Sequence, residues 1–107
     1  MNRKKYNIII SEDAFVMLDC HVEFLSRVSK EAAKRTMDRI LSDIVSLEKI
    51  PERYPVYENQ FISENRYRKM VSGKRYLVIY EISEDTVYVD YILDCRQEGN
   101  NIRLIER

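Results

Sequence analysis

The chain has 107 residues, 45% apolar and 34% charged, which is enough for one hydrophobic core and too little for two ordinary domains. Eighteen basic residues balance eighteen acidic ones, so the overall charge excludes the uniformly cationic surface of a general nucleic-acid binder. No apolar run reaches the roughly 20 residues that cross a bilayer, and the charged start Met1-Asn2-Arg3-Lys4-Lys5 leads into a run too short for a signal peptide; the expectation is a cytoplasmic protein with no membrane contact, folded as a single domain over residues 1–107.

Tyr6-Asn7-Ile8-Ile9-Ile10 is rich in β-branched residues and reads as a strand, closed by Ser11-Glu12-Asp13, a capping hydroxyl followed by acids suited to a helix start. From Asp13 to Val28, Ala14, Leu18, Val22 and Leu25 recur at helical spacing, and Phe15 and Met17 widen the stripe. Ser29 caps a second helix, whose face Ala33, Met37, Ile40, Leu41, Ile44 and Leu47 runs to about Ile50. The near-absence of a linker predicts an antiparallel helical hairpin. Pro51 and Pro55 stop the second helix, and the residues between Glu52 and Tyr57 read as an extended loop.

The period then changes to two. Arg66 to Val71 and Tyr76 to Ile82 form strands joined by the turn Ser72-Gly73-Lys74, and Ser83-Glu84-Asp85 turns into a third strand, Thr86 to Leu93. Alternation places Val87, Val89, Tyr91 and Leu93 on one face and Tyr88, Asp90 and Ile92 on the other. The expected architecture is α+β: a short N-terminal strand, a helical hairpin, then a three-stranded antiparallel meander in an antiparallel or mixed sheet, with the helices on one sheet face. The segment from Arg96 to Arg107 reads as a tail or short helix.

The chemistry on offer is narrow. With His21 as the one histidine, and placed mid-helix where a structural role is expected, no spare histidine remains for a Ser/His/Asp or Cys/His set. Cys20 and Cys95 lie in different elements without metal-ligand spacing and are expected to be reduced, semi-buried thiols. Two glycines exclude phosphate-cradling loops, and no cofactor or metal is called for. Charge is nevertheless segregated: Arg66, Arg68, Lys69, Lys74 and Arg75 stand against Glu64 between Ser63 and Tyr80, whereas Glu81 to Asp94 holds five acids and no base. That pattern fits either a basic patch, with Arg66, Lys69, Lys74 and Arg75 as binding candidates, or cross-strand charge pairing in a hairpin. RNA supplies its own 2′-hydroxyl nucleophile, so cations and phenols on adjacent strands could support its cleavage, and alternation puts Arg66, Arg68 and Met70 on one face, expected to meet solvent.

The run Tyr67-Arg68-Lys69-Met70-Val71-Ser72-Gly73-Lys74-Arg75-Tyr76-Leu77-Val78-Ile79-Tyr80-Glu81-Ile82, the acidic turn Glu84-Asp85, and Val89-Asp90-Tyr91-Ile92-Leu93-Asp94-Cys95-Arg96-Gln97 resemble the C-terminal half of RelE/ParE toxins. The N-terminal half agrees through Ser11-Glu12-Asp13-Ala14, Ser29-Lys30-Glu31-Ala32-Ala33 and Leu47-Glu48-Lys49-Ile50-Pro51-Glu52, so the resemblance covers residues 6 to 97. It implies the toxin of a type II toxin–antitoxin (plasmid stabilisation) system, a growth inhibitor neutralised by a cognate protein antitoxin, as a homodimer or a hetero-oligomer with that antitoxin. The target it implies is DNA gyrase for the ParE-like branch, or mRNA on the ribosome for the RelE-like nuclease branch. Arg68 and Arg96 match basic positions of the nucleases and are the catalytic candidates should the chain be one. Met70, Leu77 and Ile102 depart from a second basic residue, an arginine and a tyrosine of that site. Those departures and the neutral charge favour the ParE-like branch, acting by protein binding, over the nuclease and over a degenerate member that only binds antitoxin.

Overall fold

The structure is a computed structural model, and the residues described are 5–57 and 66–95. Chain order gives β1 (Asn7–Ile10), α1 (Glu12–Ser26), α2 (Lys30–Val45), β2 (Tyr67–Ser72), β3 (Tyr76–Ser83) and β4 (Thr86–Asp94), the α+β arrangement expected. The four strands form one mixed sheet ordered β1-β4-β3-β2, in which β1 runs parallel to β4 and the other pairs are antiparallel.

Both helix starts follow from serine hydroxyls. Ser11 accepts the Ala14 amide at 3.0 Å and Ser29 accepts the Ala32 amide at 3.1 Å. On α1, Ala14 and Leu18 are buried and Met17 and Val22 pack against the core, but Phe15, expected in the stripe, is 49% exposed on the flank. Cys20 is also exposed, against the semi-buried position expected for it. Helix α2 stops at Val45, short of Ile50, and the chain tightens into a 3₁₀ turn, Ser46–Glu48. There the Ser46 hydroxyl donates to the Asp43 carbonyl at 2.6 Å and the Tyr6 amide takes the Glu48 carbonyl at 3.0 Å, so late carbonyls find partners outside the helix. A second 3₁₀ turn, Pro51–Arg53, replaces the first part of the expected extended loop. It is preceded by Ile50 at φ 46°, an uncommon backbone for a β-branched residue. Extended backbone begins only near Pro55, where the Tyr57 amide donates to the Tyr67 carbonyl and Val56 bridges Arg68, covering part of the outer edge of β2.

The largest departure from simple alternation is in β4. Ile79 pairs with Tyr91 but Tyr80 pairs with Val89, so Asp90 is an extra residue, a β-bulge. Beyond it the faces exchange: Val87, Val89 and Ile92 enter the core beneath the helices with Ala14, Leu18, Ile40, Ile44, Leu47, Met70, Val78 and Tyr80. Tyr91 joins Tyr57, Tyr67, Leu77 and Ile79 in a second buried cluster on the opposite face, with Leu93 packed against it. The expected grouping of Tyr91 and Leu93 with Val87 and Val89 is therefore corrected. Asp90 is tied from both sides, its carbonyl by the Ser11 hydroxyl at 3.4 Å and its carboxylate by the Tyr67 hydroxyl at 2.9 Å.

Within the first core, the Tyr80 hydroxyl donates to the Pro51 carbonyl at 2.7 Å and is buried. Tyr80→Phe leaves that carbonyl without its donor and is expected to lower unfolding stability by about 1–3 kcal/mol, read as a lower urea midpoint with an unchanged slope.

Candidate functional site

The basic residues of β2 and the turn after it separate into three environments. Arg68 shares its strand face with Met70 and Ser72, and that face lies under the helices; it does not present a row of cations to solvent, as alternation with a helix-free outer face had suggested. The guanidinium of Arg68 is anchored to the main chain through Nη1, which donates to the Tyr54 carbonyl at 2.7 Å and the Glu52 carbonyl at 3.1 Å. With Tyr80 on the neighbouring strand holding the Pro51 carbonyl, Arg68 fixes residues 51–54 against the sheet. Of the two departures from the nuclease pattern that lie in described residues, Met70 fills the helix-side core and Leu77 belongs to the opposite cluster. Arg96 and Ile102 lie outside the described residues.

Arg66 and Lys69 sit beside the second cluster. Arg66 pairs with Glu81 at 2.9 Å and stacks over Tyr67 with 5.0 Å from guanidinium carbon to ring centroid, while the Lys69 ammonium lies 5.9 Å from the Tyr57 ring centroid. The Arg66–Glu81 pair is the cross-strand charge pairing that the segregated sequence allowed. Burial pushes the Tyr67 hydroxyl up to about 12, and its hydrogen bond to Asp90 and the Asp90 charge act in the same direction. Burial likewise pushes Tyr80 upward.

Lys74 and Arg75 lie at the other end of the hairpin, where Gly73, at φ 70°, takes the left-handed conformation that closes the turn. They face the middle of α2 across a cleft of about 1010 Å³, which Arg35 and Arg39 line from the helix. Arg39 is oriented by Asp43, whose carboxylate accepts its Nε at 3.0 Å and the buried Ser72 hydroxyl at 2.8 Å. Asp38, the acid among the residues that line the cleft, is paired with Lys34 at 3.5 Å. Sequence analysis did not single out Arg35 and Arg39; their i,i+4 spacing was the available signal, but only the fold brings them opposite the turn.

A different surface runs along the outer side of α1. Phe15, Val16 and Phe24 are 49, 55 and 58% exposed, and Val28 just beyond the helix is 84% exposed. Between Glu12 and Ser26 the helix carries Glu12, Asp13, Asp19 and Glu23 and no lysine or arginine. His21 turns inward, its Nε2 2.9 Å from the Ile92 carbonyl and its ring 5.1 Å from that of Tyr76, which is the structural role expected of it. Among the described residues no group of three or more His, Cys, Asp or Glu is placed to hold a metal ion, and no helix is long and apolar enough to cross a membrane.

The sequence matches the family described as the ParE toxin of type II toxin–antitoxin systems, parDE, over residues 8–99, and the chain belongs to that family. Its fold is similar to that of a chain in the structure titled "Chromosomal ParDE TA system from P. aeruginosa", with a TM-score of 0.70 at 10% sequence identity, covering 85% of this chain and 97% of that one. No curated protein matches the sequence. The protein is thus a type II toxin of the RelE/ParE superfamily, as the sequence resemblance implied.

Two outcomes test the roles given to the buried side chains. Arg68→Ala removes two charge-assisted hydrogen bonds to the main chain, both donated by Nη1, and is expected to cost about 1–3 kcal/mol of unfolding stability, with Arg68→Lys recovering only part because its ammonium sits one bond closer to the backbone than Nη1. A raised tyrosine pKa means that the unfolded chain loses its proton first as the solution becomes alkaline. The contribution of Tyr67 and Tyr80 is complete below pH 10.0 and declines as pH rises from there towards the folded-state values, and Tyr67→Phe makes the decline in urea midpoint shallower.

Proposed function

We propose that this toxin acts as a non-catalytic inhibitor of DNA gyrase and is held inactive by a cognate antitoxin. The observation that carries the reading is the use of Arg68: a nuclease site on this sheet would need its cation turned to a phosphate, and here the guanidinium is held through Nη1 by the carbonyls of Glu52 and Tyr54. Met70 and Leu77, buried in two different clusters, add no charge in its vicinity. Phosphoryl chemistry without a converging acid, base and cation lacks its transition-state stabilisation, whereas protein binding needs only a complementary surface.

The outer side of α1 is the surface assigned to the target. Exposed Phe15 and Phe24 on the two flanks of the helix, with Val16, Asp19 and Glu23 between them around its outer side, give α1 a mixed apolar and acidic surface for a protein partner. Arg66, Lys69, Lys74 and Arg75 then serve contacts with anionic groups of partners, and Arg68 and Arg96 have no catalytic part.

The test is to express the chain without antitoxin in a bacterial host and follow the rates of DNA and protein synthesis. DNA synthesis is expected to fall first, and purified chain is expected to block supercoiling by gyrase in vitro. Phe24→Glu is expected to weaken that inhibition at least about tenfold while leaving the urea midpoint near the wild-type value, because the side chain is largely exposed. An early fall in protein synthesis with supercoiling untouched would refute the proposal and point to mRNA as the target.

A further inference from the structure

We propose that the cleft between α2 and the β2–β3 turn receives an acidic segment of the antitoxin, an inference that rests on the toxin–antitoxin reading above. Arg35, Arg39, Lys74 and Arg75 converge on one opening from two elements far apart in sequence. Of these, Arg39 is the one with an acid partner; Arg35, Lys74 and Arg75 form no ion pair among the described residues. Both acids near the opening are already engaged, Asp38 by Lys34 and Asp43 by Arg39 and Ser72. The cleft therefore holds like charges that repel one another in the free protein, and an anion placed between them removes that repulsion.

The chemistry of the walls favours carboxylates on a polypeptide over a nucleic-acid backbone. The Arg39–Asp43–Ser72 network fixes one guanidinium on the helix wall before any ligand arrives, so part of the ordering cost is met in advance. Buried Ile40 and Tyr76 among the lining residues, and Thr36 and Ser42 on the helix wall, offer a floor and hydroxyls to a peptide chain. A duplex carries a dense and extended negative charge, and this chain is neutral overall, with four acids and no base along α1. A few carboxylates on a short segment match four cations in one cleft, whereas a long polyanion would meet as much repulsion as attraction.

The experiment uses the full chain and a fluorescein-labelled hexaglutamate peptide, with a short DNA duplex as the competing polyanion, and reads fluorescence anisotropy over a salt series. The peptide is expected to bind saturably, to weaken as salt rises, and to lose at least about tenfold in affinity in the charge reversal Arg35→Glu with Lys74→Glu. Lys30→Glu, on the same helix but outside the cleft lining, is expected to bind as wild type. If the reversed protein fails to fold by circular dichroism, Arg35→Gln with Lys74→Gln gives the same comparison with a smaller loss. Absence of saturable binding, equal binding by the cleft variants, or tighter binding of the duplex than of the peptide would overturn the proposal. Growth arrest on expression of the wild-type chain alone reads the toxin assignment separately: arrest without peptide binding sinks the cleft inference and leaves the toxin reading standing.

Discussion

The extra residue at Asp90 is the constraint on which both apolar clusters depend. A strand that alternated without interruption would send Tyr91 into the core beneath the helices and Ile92 to the opposite face. The bulge exchanges them, so the first half of β4 serves the helical side through Val87 and Val89, and Ile92 continues that side after the irregularity. Tyr91 is released to pack edge-on against Tyr67, their centroids 6.2 Å apart. An inserted residue left with unpaired polar groups would be costly, and here the Ser11 hydroxyl and the Tyr67 hydroxyl take up its carbonyl and carboxylate. Ser11 thereby links the start of α1 to the strand that α1 covers.

A second junction fixes how the helical hairpin passes into the sheet. The chain leaves α2 through two successive 3₁₀ turns, a geometry that exposes several carbonyls in one small region. Tyr80 and Arg68, paired across β3 and β2, supply the donors to Pro51, Glu52 and Tyr54. This explains why a residue resembling a catalytic cation in the sequence performs structural work in the fold. It also separates the functions of the basic segment: Arg68 stabilises, Arg66 and Lys69 lie over aromatic rings, and the turn cations Lys74 and Arg75 reach the cleft facing α2.

Charge is arranged as a dipole of surfaces on a neutral molecule. The outer side of α1 is apolar with acids, and the wall of α2 opposite the hairpin turn is cationic. Two chemically distinct surfaces on one small fold suit the proposed engagement of both a target and a neutralising partner, since each surface disfavours the ligand that fits the other.

The sequence by itself determined the order of elements, both serine caps, the amphipathic faces of the two helices and the hairpin turn at Gly73, because periodicity and turn chemistry are local properties of consecutive residues, and its resemblance to RelE/ParE toxins pointed to the superfamily. It also identified the cations worth following, though not their uses. Which face of β2 meets solvent, how β4 changes faces at Asp90, the 3₁₀ turn at Pro51, and the meeting of Arg35 and Arg39 with Lys74 and Arg75 were decided by tertiary structure. Each depends on a partner that is distant in the chain: a carbonyl seeking a donor, a bulge tied to a helix cap, or a helix face laid against a turn. Local pattern carries no record of such partners, and so resemblance could nominate Arg68 as a functional residue without showing that the fold ties its Nη1 to the main chain.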